Sequence, residues 1–350
     1  MQLRPCPGSH GKRASMFRDD GTPFREVEDN LWSLETRIRD CNRVGIDVHV
    51  LSTVPVMFSY WAKKEDCLFL CEELNNHVSR CVSQHPDRFV GLGTIPMQSP
   101  ELAIQELRRC KFELGLAGIQ IGSHIETNRY SGAALESDKD WTLSEPCLFE
   151  VFKECEALGM AVFVHPWDMM GSGLMKNYFL PWLVGMPAES CLAICSMIFG
   201  GVFERLPRLR VLFAHGGGSF PFTLGRIQHG FDVRPDLCAK DCTVSPKAHL
   251  GKFWADSLVH DRKSLDAIVS IYGENRVCLG SDYPFPLGEF TAESRGTEYC
   301  AGALVDSMSQ VDEEGGLAWT DERKQKVLGG NACEWLGLNE QVFASYRGRR

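Results

Sequence analysis

Residues 211–227 read VLFAHGGGSFPFTLGRI, from Val211 through His215 and Gly216–Gly218 to Ile227. Four apolar residues, too few for a helix, lead straight into a histidine, then a glycine turn, then a Ser-Phe-Pro opening that suits the first turn of a helix. The unit is a buried strand, a tight turn and a helix, with its polar residue at the strand's C-terminal end. The glycines do not make a phosphate loop, because G-x-x-x-x-G-K-[ST] is absent; they let the backbone approach a substrate or a helix closely.

Working outward, similar short apolar runs recur at Val48–Thr53, Phe89–Ile95, Ala117–Ile121, Ala161–Val164, Phe253–Asp256 and Val277–Gly280, which with Val211–Ala214 makes seven. Helical patterns lie between them, among them Glu65–His85, Pro100–Glu113, Leu148–Leu158 and Ala188–Arg205. Strand and helix in alternation predict right-handed βα units around a parallel sheet. The fold class is therefore α/β, a distorted TIM (β/α)8-type barrel whose first strand is apparently missing, since a closed barrel needs eight and the first run found starts at residue 48. Met1–Asp20, rich in Arg, Pro, Gly and Ser, reads as a disordered or wrongly assigned N-terminus. Residues 21–350 read as a single barrel domain with two insert-like stretches, 128–145 and 289–319, expected to be loops or disordered excursions.

A chain of 350 residues that is 44% hydrophobic can bury a full core as one domain. Its formal charge of -9 argues against a nucleic-acid partner, which would need a surplus of Lys and Arg. Met1–Arg13 has basic residues but no apolar run behind them, so no secretory signal is read and a cytosolic address is expected. The apolar stretch Phe179–Phe203 carries Pro181, Pro187 and Glu189, which predicts a loop and a buried helix rather than a membrane span. Fifteen cysteines, an odd number with no C-x-x-C spacing, read as reduced core thiols; Cys67/Cys71, Cys191/Cys195 and Cys238/Cys242 are four apart but have no histidine neighbours to make a zinc cluster.

In a barrel of this kind chemistry gathers at the C-terminal strand ends. Three runs end there in polar residues: Ala-Val-Phe-Val in His165 (HPWD), Val-Leu-Phe-Ala in His215, and Val-Cys-Leu-Gly-Ser in Asp282 (DYPFP). A lone strand histidine is more often a satisfied core residue, but three such ends converging on one axis suit a metal ion, with one residue left for proton transfer. His49, His77, His85, His249 and His260 keep the structural reading. Arg25 and Arg226 are candidates to grip a carboxylate bidentately, against the alternative of plain surface arginines.

These residues stand in recognisable text. LSTVPVMFSYWAK, RFVGLGTIPMQSPELA, FVHPWDM, LPWLVGMPAE, FAHGGGSFPFTLGRIQHGF, RPDLCA and LGSDYPFPLGE resemble the aminocarboxymuconate semialdehyde decarboxylases, metal-dependent enzymes of the amidohydrolase-like class, over Gly21–Gly288 and again over Leu328–Leu338. The resemblance implies zinc-supported, non-oxidative loss of CO2 from 2-amino-3-carboxymuconate 6-semialdehyde in tryptophan (kynurenine) catabolism, limiting quinolinate formation, by a homodimer with no organic cofactor. It implies that His165 and Asp282 are metal ligands and His215 the general acid/base. It further implies that Arg25 binds a substrate carboxylate, that Arg226 reaches the neighbouring subunit's site, and that Phe285, Trp182 and Met169 line the pocket. A metal-dependent hydrolase or hydratase on the same barrel is the alternative chemistry.

The family's first strand ends His-x-His, two further metal ligands, and no H-x-H occurs in this sequence. Two readings account for the departure: an incomplete product whose true start carries that strand, or a catalytically impaired barrel that binds or regulates a partner.

Overall fold

The computed structural model describes residues 2–17, 21–126, 140–289, 300–309 and 317–338. The first strands are β1 (Gln2–Pro5), β2 (Arg13–Phe17) and β3 (Pro23–Glu28), an antiparallel meander in that order. This corrects the reading of the first 20 residues as disordered; Met1 and residues 18–20 lie outside the described residues. The pattern was hidden because only Ala14, Met16 and Val27, with Phe24 and Leu31 beside them, form the small apolar core, while most other strand positions are exposed.

All seven expected parallel strands are present: β4 (His49–Leu51), β5 (Phe89–Gly93), β6 (Gly118–Gly122), β9 (Ala161–His165), β10 (Val211–Phe213), β11 (Trp254–Asp256) and β12 (Val277–Cys278). Two short strands, β7 (His124–Ile125) and β8 (Trp141–Thr142), pair antiparallel at the base of the first insert-like stretch. Among the described residues the parallel sheet runs β4-β5-β6-β9-β10-β11-β12, each strand beside its predecessor, the topology of a curled barrel wall with seven staves. β4 and β12 are its edges. Tyr283, beyond β12, reaches back across them: its hydroxyl donates to Asp40 Oδ2 at 2.8 Å, and its ring meets that of His49 edge-on at 5.4 Å.

Period-two alternation sorts the strand residues. Phe89, Ile119, Ile121, Val162, Val164, Val211, Phe213 and Val277 belong to the large core against the surrounding helices. Val90, Leu92, Ala161, Leu212, Trp254 and Cys278 belong to a second cluster that also takes in Trp335 and Leu336 of the helix Asn331–Leu336. That helix is tied to the sheet by Arg210, which donates to the Trp335 carbonyl at 2.6 Å.

The helices fall close to expectation, at Lys64–Gln84, Pro100–Phe112 and Pro146–Leu158. Ala188–Arg205 is instead two helices, Met186–Phe199 and Val202–Arg205, broken at Gly200–Gly201 where the chain turns tightly against Ser144. Pro181–Phe199 is long and apolar enough to cross a membrane by composition, yet Glu189, Ser190, Ala193, Ile194, Met197 and Ile198 bury one face of it inside the fold. Residues 127–139, 290–299 and 310–316 lie outside the described residues. The remainder of the second stretch is not a loose excursion: Ala303–Asp306 is helical, and Val305, Met308 and Trp319 enter the main core, with Trp319 Nε1 donating to Asp266 Oδ1 at 2.8 Å. A polar sequence with few anchors concealed that packing.

Candidate functional site

β9, β10 and β12 deliver His165, His215 and Asp282 to one end of the sheet, where their ligand atoms all lie within 4.8 Å of one another. His165 Nδ1 sits 2.6 Å from the Pro166 carbonyl oxygen. A carbonyl can only accept, so Nδ1 carries the proton and Nε2 is left to face Asp282 Oδ1 at 3.9 Å. The His165 and His215 rings are 4.8 Å apart and nearly perpendicular. Burial, with His165 beside it, holds His215 below the ordinary imidazole range. Burial alone would raise the Asp282 carboxyl, but His165, His215 and Arg25 outweigh it and leave Asp282 below the ordinary carboxylate range.

Both His215 (φ 57) and Asp282 (φ 46) hold left-handed backbone, a strained state for non-glycine residues that costs about 1–3 kcal/mol each and that the surrounding structure must enforce. At His215 the glycine turn does so. Gly217 and Gly218 also have positive φ, and a Cβ on Gly217 would lie 2.3 Å from Tyr272 Oη, one on Gly218 2.3 Å from the Pro187 carbonyl oxygen. The turn is thus wedged against the first residues of the Met186–Phe199 helix, the close approach that the glycine run predicted. Asp256, at the end of β11, accepts from Gly216 N at 2.9 Å and Leu258 N at 3.1 Å, pinning the same turn from the other side.

Arg25, on β3, stands with its guanidinium carbon 5.2 Å from the Phe285 ring centre, and burial lowers it from its ordinary value against the pull of Asp282. Arg25, Phe285 and the His165–His215–Asp282 group are therefore brought together. Met169 (φ 57) lies four residues beyond His165, and Trp182 stacks on Phe179 at 4.6 Å. Arg226 is exposed on the helix Phe220–Val233, with no hydrogen-bond or ion-pair partner among the described residues.

Sequence reasoning passed over two carboxylates. Asp256 was visible as a polar strand end. Glu189 is the lone charged residue in Phe179–Phe203 and only 1% exposed, and a buried carboxylate requires partners. Its oxygens accept from Ser123 Oγ, from Trp167 N at 2.7 Å, Asp168 N at 3.4 Å and Met170 N at 3.1 Å, while His124 Nδ1 is 3.7 Å away. His124 itself stacks on Trp167 at 5.3 Å.

The donor set fits a divalent cation: two imidazoles and a carboxylate converge, and the His165 N–H···O=C bond is the outer support that metal-binding histidines ordinarily carry. His215 lies within the same reach, so the geometry permits it as a third donor.

The amidohydrolase family model matches residues 28–338. The chain is 53% identical over 324 residues to the 2-amino-3-carboxymuconate-6-semialdehyde decarboxylase of Dictyostelium discoideum, covering 93% of this chain and 82% of that protein. Among solved structures, the apo IDCase of Metarhizium anisopliae superposes with a TM-score of 0.76 at 21% identity, over 96% of this chain and 90% of that one. A dihydroxybenzoic acid decarboxylase from Polaromonas, solved with bound manganese, superposes with a TM-score of 0.68 at 20% identity, over 88% and 86%. The two structures support the fold. Fold, donor set and family model together define the class: the chain belongs to the amidohydrolase family. Within it the chain groups with the aminocarboxymuconate semialdehyde decarboxylases and is a carboxy-lyase.

Proposed function

We propose that this chain removes CO2 non-oxidatively from 2-amino-3-carboxymuconate 6-semialdehyde in tryptophan (kynurenine) catabolism, in the cytosol, so limiting quinolinate formation. The observation that carries this reading is the convergence of His165, His215 and Asp282 within 4.8 Å, beside Arg25 and Phe285. His165 and Asp282 would hold Zn²⁺, which supplies Lewis-acid stabilisation of developing negative charge when bound. Arg25 orients the departing carboxylate through a bidentate grip, and Phe285, Trp182 and Met169 give the flat substrate an apolar bed. The carbon that loses CO2 must gain a proton. His215, kept neutral by burial, is the group placed to take one from water and return it there.

Arg226, exposed and without a partner among the described residues, is assigned to the neighbouring site of a homodimer. Zinc content and CO2 release measured together test the reading. His165→Ala should lose metal, whereas Arg226→Ala should lose turnover with metal retained, and mixing Arg226→Ala with His215→Ala subunits should restore part of the activity. Dead mixed dimers would sink the cross-subunit assignment, and water addition without CO2 release would favour a hydratase.

A further inference from the structure

We infer that Glu189 is a positioning residue that selects the tautomer of His165 through a single peptide plane. The Pro166–Trp167 peptide is trans, so its carbonyl and its N–H point in opposite directions from one rigid unit. Glu189 Oε1 accepts from the N–H side, Trp167 N, at 2.7 Å. The carbonyl side, Pro166 O, accepts from His165 Nδ1 at 2.6 Å. Glu189 thus fixes how the plate is turned, and the plate fixes which imidazole nitrogen carries the proton. The bonds from Asp168 N and Met170 N to the same carboxylate hold the next turn of chain, so the plate cannot rotate without several bonds breaking together. Ser123, just past β6, and His124, which opens β7, brace Glu189 from beside it. With the plate turned as observed, Nε2 faces Asp282; with it flipped, an N–H would confront Nδ1–H and the ring would favour the other tautomer.

The consequence for metal affinity rests on the reading of His165 as a ligand, but the tautomer does not, so the two can fail separately. Histidine ¹⁵N spectra of the metal-free full chain report it directly, the His165 signals being assigned by their loss in His165→Gln. The wild type should show one tautomer, protonated at Nδ1. Glu189→Gln, whose amide can keep only one acceptor and so sets an N–H against either Trp167 N–H or Met170 N–H, should populate both tautomers and weaken zinc binding 10–100-fold in a chelator competition. Glu189→Asp, which keeps the charge and withdraws it by one methylene, should move both readouts the same way by less. Glu106→Gln, at a carboxylate buried elsewhere, should lower stability and leave both readouts at wild-type values. A wild-type His165 protonated at Nε2 overturns the inference whether or not the variants fold. So does a folded Glu189→Gln with unchanged tautomer and zinc affinity, or a Glu106→Gln that shifts the tautomer as far as Glu189→Gln does. Zinc retained by His165→Ala would instead overturn the ligand reading alone.

Discussion

Glu106 and Glu189 are both 1% exposed, and the protein accommodates them by opposite means. Glu106, on the helix Pro100–Phe112, is gripped bidentately by Arg109 at 2.7 and 2.8 Å and takes Asn75 Nδ2 at 2.6 Å. Its charge is met by a cation one helical turn away, so its environment is largely local. Glu189 has no Lys or Arg partner among the described residues; backbone amides of the segment after His165 do that work. A carboxylate answered by a guanidinium of its own helix is settled within that helix, and only the bond from Asn75 ties Glu106 to the helix Lys64–Gln84. One answered by amides constrains the path of a loop, and here the loop is the one that follows His165.

The contrast can be broken most forcefully at Arg109. Arg109→Ala leaves Glu106 buried without its cation and should cost about 3–5 kcal/mol of stability by denaturant unfolding, with metal content unchanged. Loss of metal in that variant would show that the two regions are not independent. A third buried carboxyl sharpens the comparison: Glu289 is met by the backbone of Gly302, and burial, with Asp256 nearby, outweighs that bond and pushes it up to about 7. A carboxyl whose folded pKa lies above its unfolded value stabilises the fold below the unfolded value and loses that contribution as pH rises. Stability should therefore fall by roughly 2–3 kcal/mol between about pH 4.5 and 7. Glu289→Gln should flatten that slope in unfolding curves recorded across the range, and an unaltered slope would remove Glu289 from the comparison. The smallest effect is expected at Ser123, where Ser123→Ala deletes one of several donors to Glu189 and should cost about 1–2 kcal/mol, measured in the same way.

The seven parallel strands were legible because each is a short apolar run bounded by turn or helix signals, and burial on both faces leaves little ambiguity in β5 or β6. β1–β3 were not, since their stability comes from backbone ladders and a three-residue core, neither of which marks a sequence strongly. At the site, His165, His215 and Asp282 announced themselves as polar strand ends. Arg25 stood as a candidate cation to which the family resemblance gave a role, and its contact with Phe285 joins residues far apart in the chain. Glu189 was read only as an argument against a membrane span. Its partners are mostly amide groups, which every residue but proline possesses, so no side-chain pattern pointed to them.

The turn after His215 bears on how this protein can diverge. With Tyr272 Oη and the Pro187 carbonyl each 2.3 Å from where a side chain would begin, positions 217 and 218 admit one amino acid apiece. Saturation libraries should find these two codons frozen while surrounding pocket positions tolerate replacement. New specificities on this scaffold would then arise by varying what faces the turn, with the turn itself inherited intact.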